Sequence, residues 1–148
     1  MNKTHLVRHL KRVEGFSAFP YDDVGDQSIG FGRNLTQIGI TKAEGEVLLL
    51  NDIERCEQEL RKRYSWFKDL TDIRQTGMLS LNFNLGSTRL AKFKKCLKAM
   101  SEGKYGVAAH EVYPHSKYAT QVPARAHEIS QMLRGEENNT ENTETEDA

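Results

Sequence analysis

The chain has 148 residues, 37% of them hydrophobic and 28% charged, with 21 Lys+Arg against 21 Asp+Glu. That length suits one domain with a real core and is short for two independent ones. The neutrality is an average: 136–148 holds six acids and no base, which leaves a body of +6 over 1–135. The longest apolar run, Val47–Leu50, falls far below the roughly 20 residues of a bilayer span. The first ten residues lack the continuous apolar segment of a signal peptide. No stable membrane association and a cytoplasmic origin are therefore expected. Cys56 and Cys96 are too few for a disulfide framework and are expected to be reduced.

Thr4 to Val13 reads as an amphipathic helix, with Leu6, Val7, Leu10 and Val13 on one face and Glu14-Gly15 closing it. Residues 16–36 change character: Asp22-Asp23-Val24-Gly25-Asp26 is turn chemistry, and Ser28–Gly32 alternates like a short strand, so a small hairpin or three-stranded sheet is expected. Thr41-Lys42-Ala43-Glu44 matches a capping box that opens a long helix to about Arg63. Val47, Leu50, Ile53, Cys56 and Leu60 form its stripe.

The remainder reads helical. Asp72–Leu85 is one segment ended by Gly86, and Ser87 is expected to cap a second that carries Leu90, Phe93, Leu97 and Met100 on one face. Short helices are expected near 105–112 and 116–121. Pro123 suits the first turn of a final helix to Arg134, stopped by Gly135. The segment 136–148, without a large apolar residue, is expected to be a disordered acidic tail. Its charge suggests transient screening of the basic body.

Glu14, Asp22-Asp23 and Ser28 form the first candidate constellation. A carboxyl ending a helix that packs on a core is partly withdrawn from water and stays protonated, whereas one on a hydrated turn stays ionised. Two carboxyls in divergent environments are what glycoside hydrolysis uses. Spacing alone does not separate that reading from ordinary surface acids in a chain this charged. His5 and His9 share a helix face, but without a third ligand they read as solvated residues, and no cofactor is implied. Lys92, Lys94, Lys95 and Lys98 read as a solvated helix surface, or as a face that attracts an anionic polymer. No nucleic-acid motif accompanies them, so no nucleic-acid partner is expected. No serine or cysteine triad is arguable.

The order helix, Glu-Gly, acid-rich turn, strand is where a family resemblance enters. Glu14-Gly15-Phe16, Pro20-Tyr21-Asp22-Asp23 and Ile29-Gly30-Phe31-Gly32-Arg33-Asn34-Leu35 are followed by Asn51-Asp52-Ile53 with Cys56. Trp66-Phe67, Leu70, Arg74-Gln75 and Asn82–Gly86 come next, and Ser116–Ala126 last. Over about residues 5–135 this chain resembles the phage lysozymes, the endolysin muramidases of glycoside hydrolase family 24. The resemblance implies an α+β, predominantly α-helical, bilobed fold. A β-hairpin lobe would span about 1–40, a connecting helix about 41–63 and a helical lobe about 64–135, with the active site in the cleft.

The resemblance further implies hydrolysis, with inversion, of the β-1,4 bond between N-acetylmuramic acid and N-acetylglucosamine in peptidoglycan. Glu14 would be the general acid and Asp23 the second acid. Ser28 would take the place of a threonine that holds the attacking water. Asn84, Gln121 and Arg125 match substrate-contacting positions. The turn between Asp23 and Ser28 is one residue short, so counting back from Ser28 selects Asp22. Pro20-Tyr21 aligns with Asp23, which is preferred. Serine keeps the hydroxyl but loses the methyl that stiffens its rotamer, and weaker activity is expected. The implied setting is a monomer in the host bacterial cytoplasm that reaches the wall with the help of a holin-like membrane protein. Alternatives are a lytic transglycosylase acting on the same bond and a non-catalytic peptidoglycan-binding protein.

Overall fold

The computed structural model describes residues 1–137. Apart from Glu136 and Glu137, the expected acidic tail lies outside the described residues. Helix α1 spans Lys3–Glu14, strands β1, β2 and β3 span Ser17–Asp23, Asp26–Gly30 and Arg33–Asn34, and α2 spans Lys42–Arg63. A 3-10 turn, Phe67–Asp69, precedes α3 (Asp72–Leu85), α4 (Ser87–Leu90), α5 (Lys94–Ser101), α6 (Tyr105–Val112), α7 (Lys117–Gln121) and α8 (Pro123–Arg134). This is the expected α+β, predominantly helical fold. The chain divides into two compact units, Met1–Leu49 and Leu50–Ala148, with the division inside α2.

In the first unit Asn2 caps α1, its side chain accepting the His5 N–H at 3.3 Å. The apolar stripe of α1 is where expectation and structure part: no residue of the helix is buried. Strands of seven, five and two residues offer too little surface to cover it. Phe16 and Phe31 pack at 5.2 Å between ring centroids, and Lys11 Nζ sits 5.5 Å over the Phe31 ring.

The sheet is antiparallel in the order β1-β2-β3. A two-residue turn, Val24-Gly25, joins the first two strands with φ of 51° and 88°. Positive φ at both central residues is the twist that lets a two-residue loop close a hairpin. Glycine takes it freely, but a β-branched side chain does not. The resulting register pairs Asp23 with Asp26, Asp22 with Gln27 and Tyr21 with Ser28, before an irregularity brings Ser17 opposite Gly30. The expected strand Ser28–Gly32 therefore ends at Gly30, where the chain turns into β3.

The capping box of α2 forms as read. Glu44 N–H donates to Thr41 Oγ1 at 3.2 Å, and Thr41 N–H donates to Glu44 Oε1 at 2.9 Å. Arg33 adds a fork to the same carboxylate at 2.8 and 2.6 Å and also donates to the Gly39 carbonyl. One carboxyl thus ties β3 and the following loop to the start of α2. These bonds hold Glu44 well below the usual carboxylate range, at about 2, with the Arg33 hydrogen bond the largest cause and the two Thr41 bonds next.

The second unit contains the hydrophobic core. Leu60, Phe67, Met78, Leu81, Met100 and Leu133 are at most 1% exposed and pack in one cluster. Of the α2 stripe only Cys56 and Leu60 are buried. Gly77 lets α3 approach α8 closely: a Cβ there would lie 3.0 Å from Leu133 Cδ2 and from Met132 Cβ. Arg74 donates to the carbonyls of Leu133 and Arg134 at 3.0 Å, capping the end of α8, and lies 3.9 Å over the Tyr105 ring.

Residues 87–101 correct the sequence reading. They form two helices instead of one, because 91–93 close tightly through Lys92 N–H to Arg89 O and Phe93 N–H to Leu90 O. Ser87 is not a cap; the N-cap is Gly86. The Ser87 hydroxyl donates instead to Glu59 Oε2 at 2.6 Å, and Asn82 Nδ2 donates to the same oxygen at 3.3 Å. That pair, Ser87 first, lowers Glu59 from its ordinary value. Both cysteines are buried and free, and burial pushes the Cys96 thiol up to about 12, so neither is a ready nucleophile.

Two measurements check this account of the first unit. Val24→Asn, which accepts positive φ more readily, is expected to stabilise the fold by about 1 kcal/mol in thermal melts. Glu44 titrates lower in the folded than in the unfolded chain, so its contribution is complete above about pH 4.5 and disappears as pH falls toward 2. Glu44→Gln should therefore flatten the fall of Tm across that interval. The pair is about four-tenths exposed, so the effect will be modest.

Candidate active site

Glu14 is the last residue of α1, with Gly15 as its C-cap, and its side chain is exposed. The expected shielding of this carboxyl by a packed helix is not found, since α1 buries nothing. What meets the carboxyl is backbone: a Cβ built on Gly32 would lie 3.1 Å from Glu14 Oε2. Gly32 also has φ of 85°, a conformation that strains any other residue, and a Cβ there would push on the Glu14 carboxyl. The glycine between β2 and β3 thus sets how near the turn comes to Glu14. Sequence reading missed this role, although the Gly30-Phe31-Gly32 pattern was its only available signal.

The register sorts the three acids of the turn. Successive strand residues face opposite sides of a sheet, and directly paired residues share a side. Ser28 pairs with Tyr21 and with Asn34. Asp23 is two residues beyond Tyr21 and pairs with Asp26, so Asp23, Asp26 and Ser28 share one face. Asp22 pairs with Gln27 and belongs to the other face. Ser28 is 2% exposed and is the only buried residue among residues 1–49.

Asp26 was not singled out in the sequence, yet the face includes it. Asn34 Nδ2 donates to Asp26 Oδ2 at 2.9 Å, while Asn34 Oδ1 accepts the Gln37 N–H at 2.8 Å. Asp26 is therefore held from β3, whereas Asp23 has no side-chain hydrogen bond or ion pair among the described residues. An unengaged carboxylate on an exposed turn can accept a proton from water; one already bonded to an amide is the poorer base.

The other three candidates belong to the second unit and to separate helices. Asn84 is exposed in the last turn of α3, and Gln121 ends α7. Arg125, on α8, is half-buried, and its Nη2 donates to the Ser80 carbonyl at 3.4 Å. Tyr118, on α7, is buried with its hydroxyl unpartnered among the described residues. Burial pushes that phenol up, and the charges of Arg125 and Arg89 oppose the shift. Gln121 also lines a cavity of about 500 Å³ beside α5 and α7. Among the described residues no three His, Cys, Asp or Glu side chains are grouped to hold a metal. His9 instead lies 3.4 Å from the Arg12 guanidinium. No helix among the described residues is long and apolar enough to cross a membrane.

Comparison with known proteins gives this arrangement a context. The protein described as probable T4-type lysozyme 1 of Dictyostelium discoideum is 26% identical over 97 residues, covering 64% of this chain. The match takes in 56% of that relative, so the chain spans little more than half its length. The family model for phage lysozymes matches residues 11–127, a stretch that begins before Glu14 and ends after Arg125. That match covers well over half of the chain, which therefore belongs to the phage lysozyme family.

Proposed function

We propose that the chain is a muramidase that cleaves the β-1,4 bond between N-acetylmuramic acid and N-acetylglucosamine in peptidoglycan, with inversion. The observation that carries the reading is the hairpin register, which groups Asp23 with the buried Ser28 in the same unit as Glu14. Glu14 donates a proton to the glycosidic oxygen as the bond to the anomeric carbon breaks. Asp23 takes a proton from the water that attacks the opposite face, and the Ser28 hydroxyl orients that water. At the end Glu14 is ionised and Asp23 protonated, and exchange with solvent resets both. Asn84, Gln121 and Arg125 are proposed to contact the glycan. In its biological setting the enzyme acts as a monomeric endolysin, made in the host cytoplasm, reaching the wall through a holin-like partner and lysing the cell.

Release of reducing ends from purified peptidoglycan tests the assignments, with thermal melts confirming that each variant folds. Glu14→Gln and Asp23→Asn should each lower the rate by on the order of 10²- to 10⁴-fold, and Asp22→Asn should stay near wild type. Loss in Asp22→Asn with retention in Asp23→Asn would move the base to Asp22. Proton NMR of the first product should show the inverted anomer. Ends carrying 1,6-anhydromuramic acid would establish a transglycosylase instead, and wall binding without new ends a non-catalytic protein.

Gly32→Ala addresses positioning. Its methyl would displace the Glu14 carboxyl, so the rate should fall on the order of 10- to 100-fold. Substrate binding, measured on the Glu14→Gln background, should hardly change. Full activity in Gly32→Ala would remove the glycine from the account of the site.

A further inference from the structure

The cavity beside α5 and α7 has a charge that the muramidase reading does not use. Arg89, Lys92, Lys94, Lys95 and Lys117 line it, with Glu111 the one carboxylate among the described residues. These residues come from the end of α4, the link to α5, the first turn of α5 and the start of α7. The sequence presented Lys92, Lys94, Lys95 and Lys98 as one helix surface, of which Lys98 does not line the recess. The fold instead breaks that helix and adds Arg89 and Lys117, turning a surface stripe into a lined recess of about 500 Å³.

None of the five cations has an ion-pair partner within 4 Å among the described residues. Lys98 and Lys104, outside the recess, both pair with Glu102, but Lys3, Lys11, Lys42, Lys62 and Lys68 have no carboxylate partner among the described residues either, so the convergence of five cations on one recess is what sets the cluster apart. Two of the unpaired lysines also occupy unfavourable positions. Lys94 and Lys95 open α5, whose first turn has no acid and whose N-cap makes no side-chain hydrogen bond. A cation at a helix N-terminus opposes the dipole that an acid there would satisfy. Local rules broken together in one recess are characteristic of places where something else binds.

The chemistry of the ligand follows from the surplus. Among the described residues, five cations against one carboxylate exceed what one carboxylate or one monosaccharide could neutralise. A chain that brings an anion with every repeat matches them, and phosphodiester oxygens suit lysine and arginine donors. The bases of a nucleic acid would need an exposed aromatic face for stacking. Phe93 is only partly exposed, Tyr118 is 4% exposed, and the exposed His115 ring already stacks on His110, so stacking surface in the recess is scarce. We propose that this recess binds a linear polyol-phosphate chain, a polymer of glycerol phosphate or similar repeats. It rests on the muramidase reading only in taking a bacterial wall as the place where such a polymer is met.

The test is binding of a fluorescent glycerol-phosphate hexamer to the full chain by anisotropy, which involves no hydrolysis and so fails or succeeds independently of the muramidase reading. The hexamer should bind in 50 mM salt, and Lys94→Gln/Lys95→Gln/Lys117→Gln should weaken it at least about tenfold. The logarithmic salt slope should become shallower by about two, as expected for three lost phosphate contacts. A control triple at Lys3, Lys42 and Lys62 should leave both nearly unchanged. Equal weakening by the control triple would show diffuse attraction to the basic body and overturn the site. Equal or tighter binding of hexathymidylate or hexaglutamate would overturn the ligand class. Displacement by inorganic phosphate at matched phosphate concentration would reduce it to a single-anion site, and no binding of the hexamer would end it.

Discussion

The first unit depends on a two-residue turn. Val24 and Gly25 both adopt positive φ, and that geometry leaves one register for β1 and β2. Every assignment of a side chain to a face of the sheet follows from it. A turn one residue longer would shift the pairing by one and place Asp22, not Asp23, with Ser28. The strain carried by Val24, on the order of 1–2 kcal/mol for an L-residue in left-handed space, is the cost of that register. The valine is fully exposed, so no packing returns the cost locally. Such strain persists only where surrounding bonds over-determine the conformation. Here the bonds are at hand: Asn34 holds Asp26 at the foot of the turn, and Thr36 accepts the Gln27 N–H at 2.9 Å.

From the other side, Arg33 and Glu44 secure β3. The same carboxylate completes the capping box and receives the Arg33 fork, so the start of α2 and the last strand share one anchor. The exposed pair contributes little energy, and its importance is geometric. It fixes where the chain leaves the sheet, and so where the preceding residue, Gly32, approaches Glu14. The proposed acid, water-holding hydroxyl and base are thus positioned by short-range contacts within residues 1–49.

Short-range contacts also explain what was legible in the amino-acid sequence. The Thr41/Glu44 box, the stop at Gly86, and Pro123 and Gly135 bounding the final helix are each determined by a few neighbouring residues, and each appears as read. The break at 91–93 was not legible, because Leu90, Phe93, Leu97 and Met100 hold helical spacing on both sides of it. Periodicity does not record whether the backbone between apolar residues tightens into a 3-10 closure. Ser87 misled for a related reason: it is the first residue of α4 and not the one before it, and its hydroxyl donates to Glu59, 28 residues away in the chain. Which of Asp22 and Asp23 shares a face with Ser28 was not legible by counting, because counting along a chain gives spacing, whereas the face depends on parity. The Val24-Gly25 pair contained that parity for a reader willing to fix the turn at two residues.

Charge shows the same difference between a count and an arrangement. A net charge of zero, divided into a body of +6 and an acidic end, gives an encounter preference for anionic surfaces and nothing more specific. In the fold, some cations are tied to carboxylates and others gather without them. Arg33, Arg55, Arg61, Lys98 and Lys104 are committed to carboxylates, Arg55 and Arg61 to neighbours on their own helix. Arg89, Lys92, Lys94, Lys95 and Lys117 converge on one recess without such partners among the described residues. Mutual repulsion there is a standing cost that a folded chain could relieve by changing any of them to a neutral residue. Nothing in the packing of α4, α5 or α7 requires the charges, since the core contacts of that region come from Leu90, Cys96, Met100 and Tyr118. Helix formation in α5 would be better served by an acid in place of Lys94 or Lys95. Fold stability therefore does not explain this cluster, whereas binding to a polyanion turns each of its local penalties into a contact.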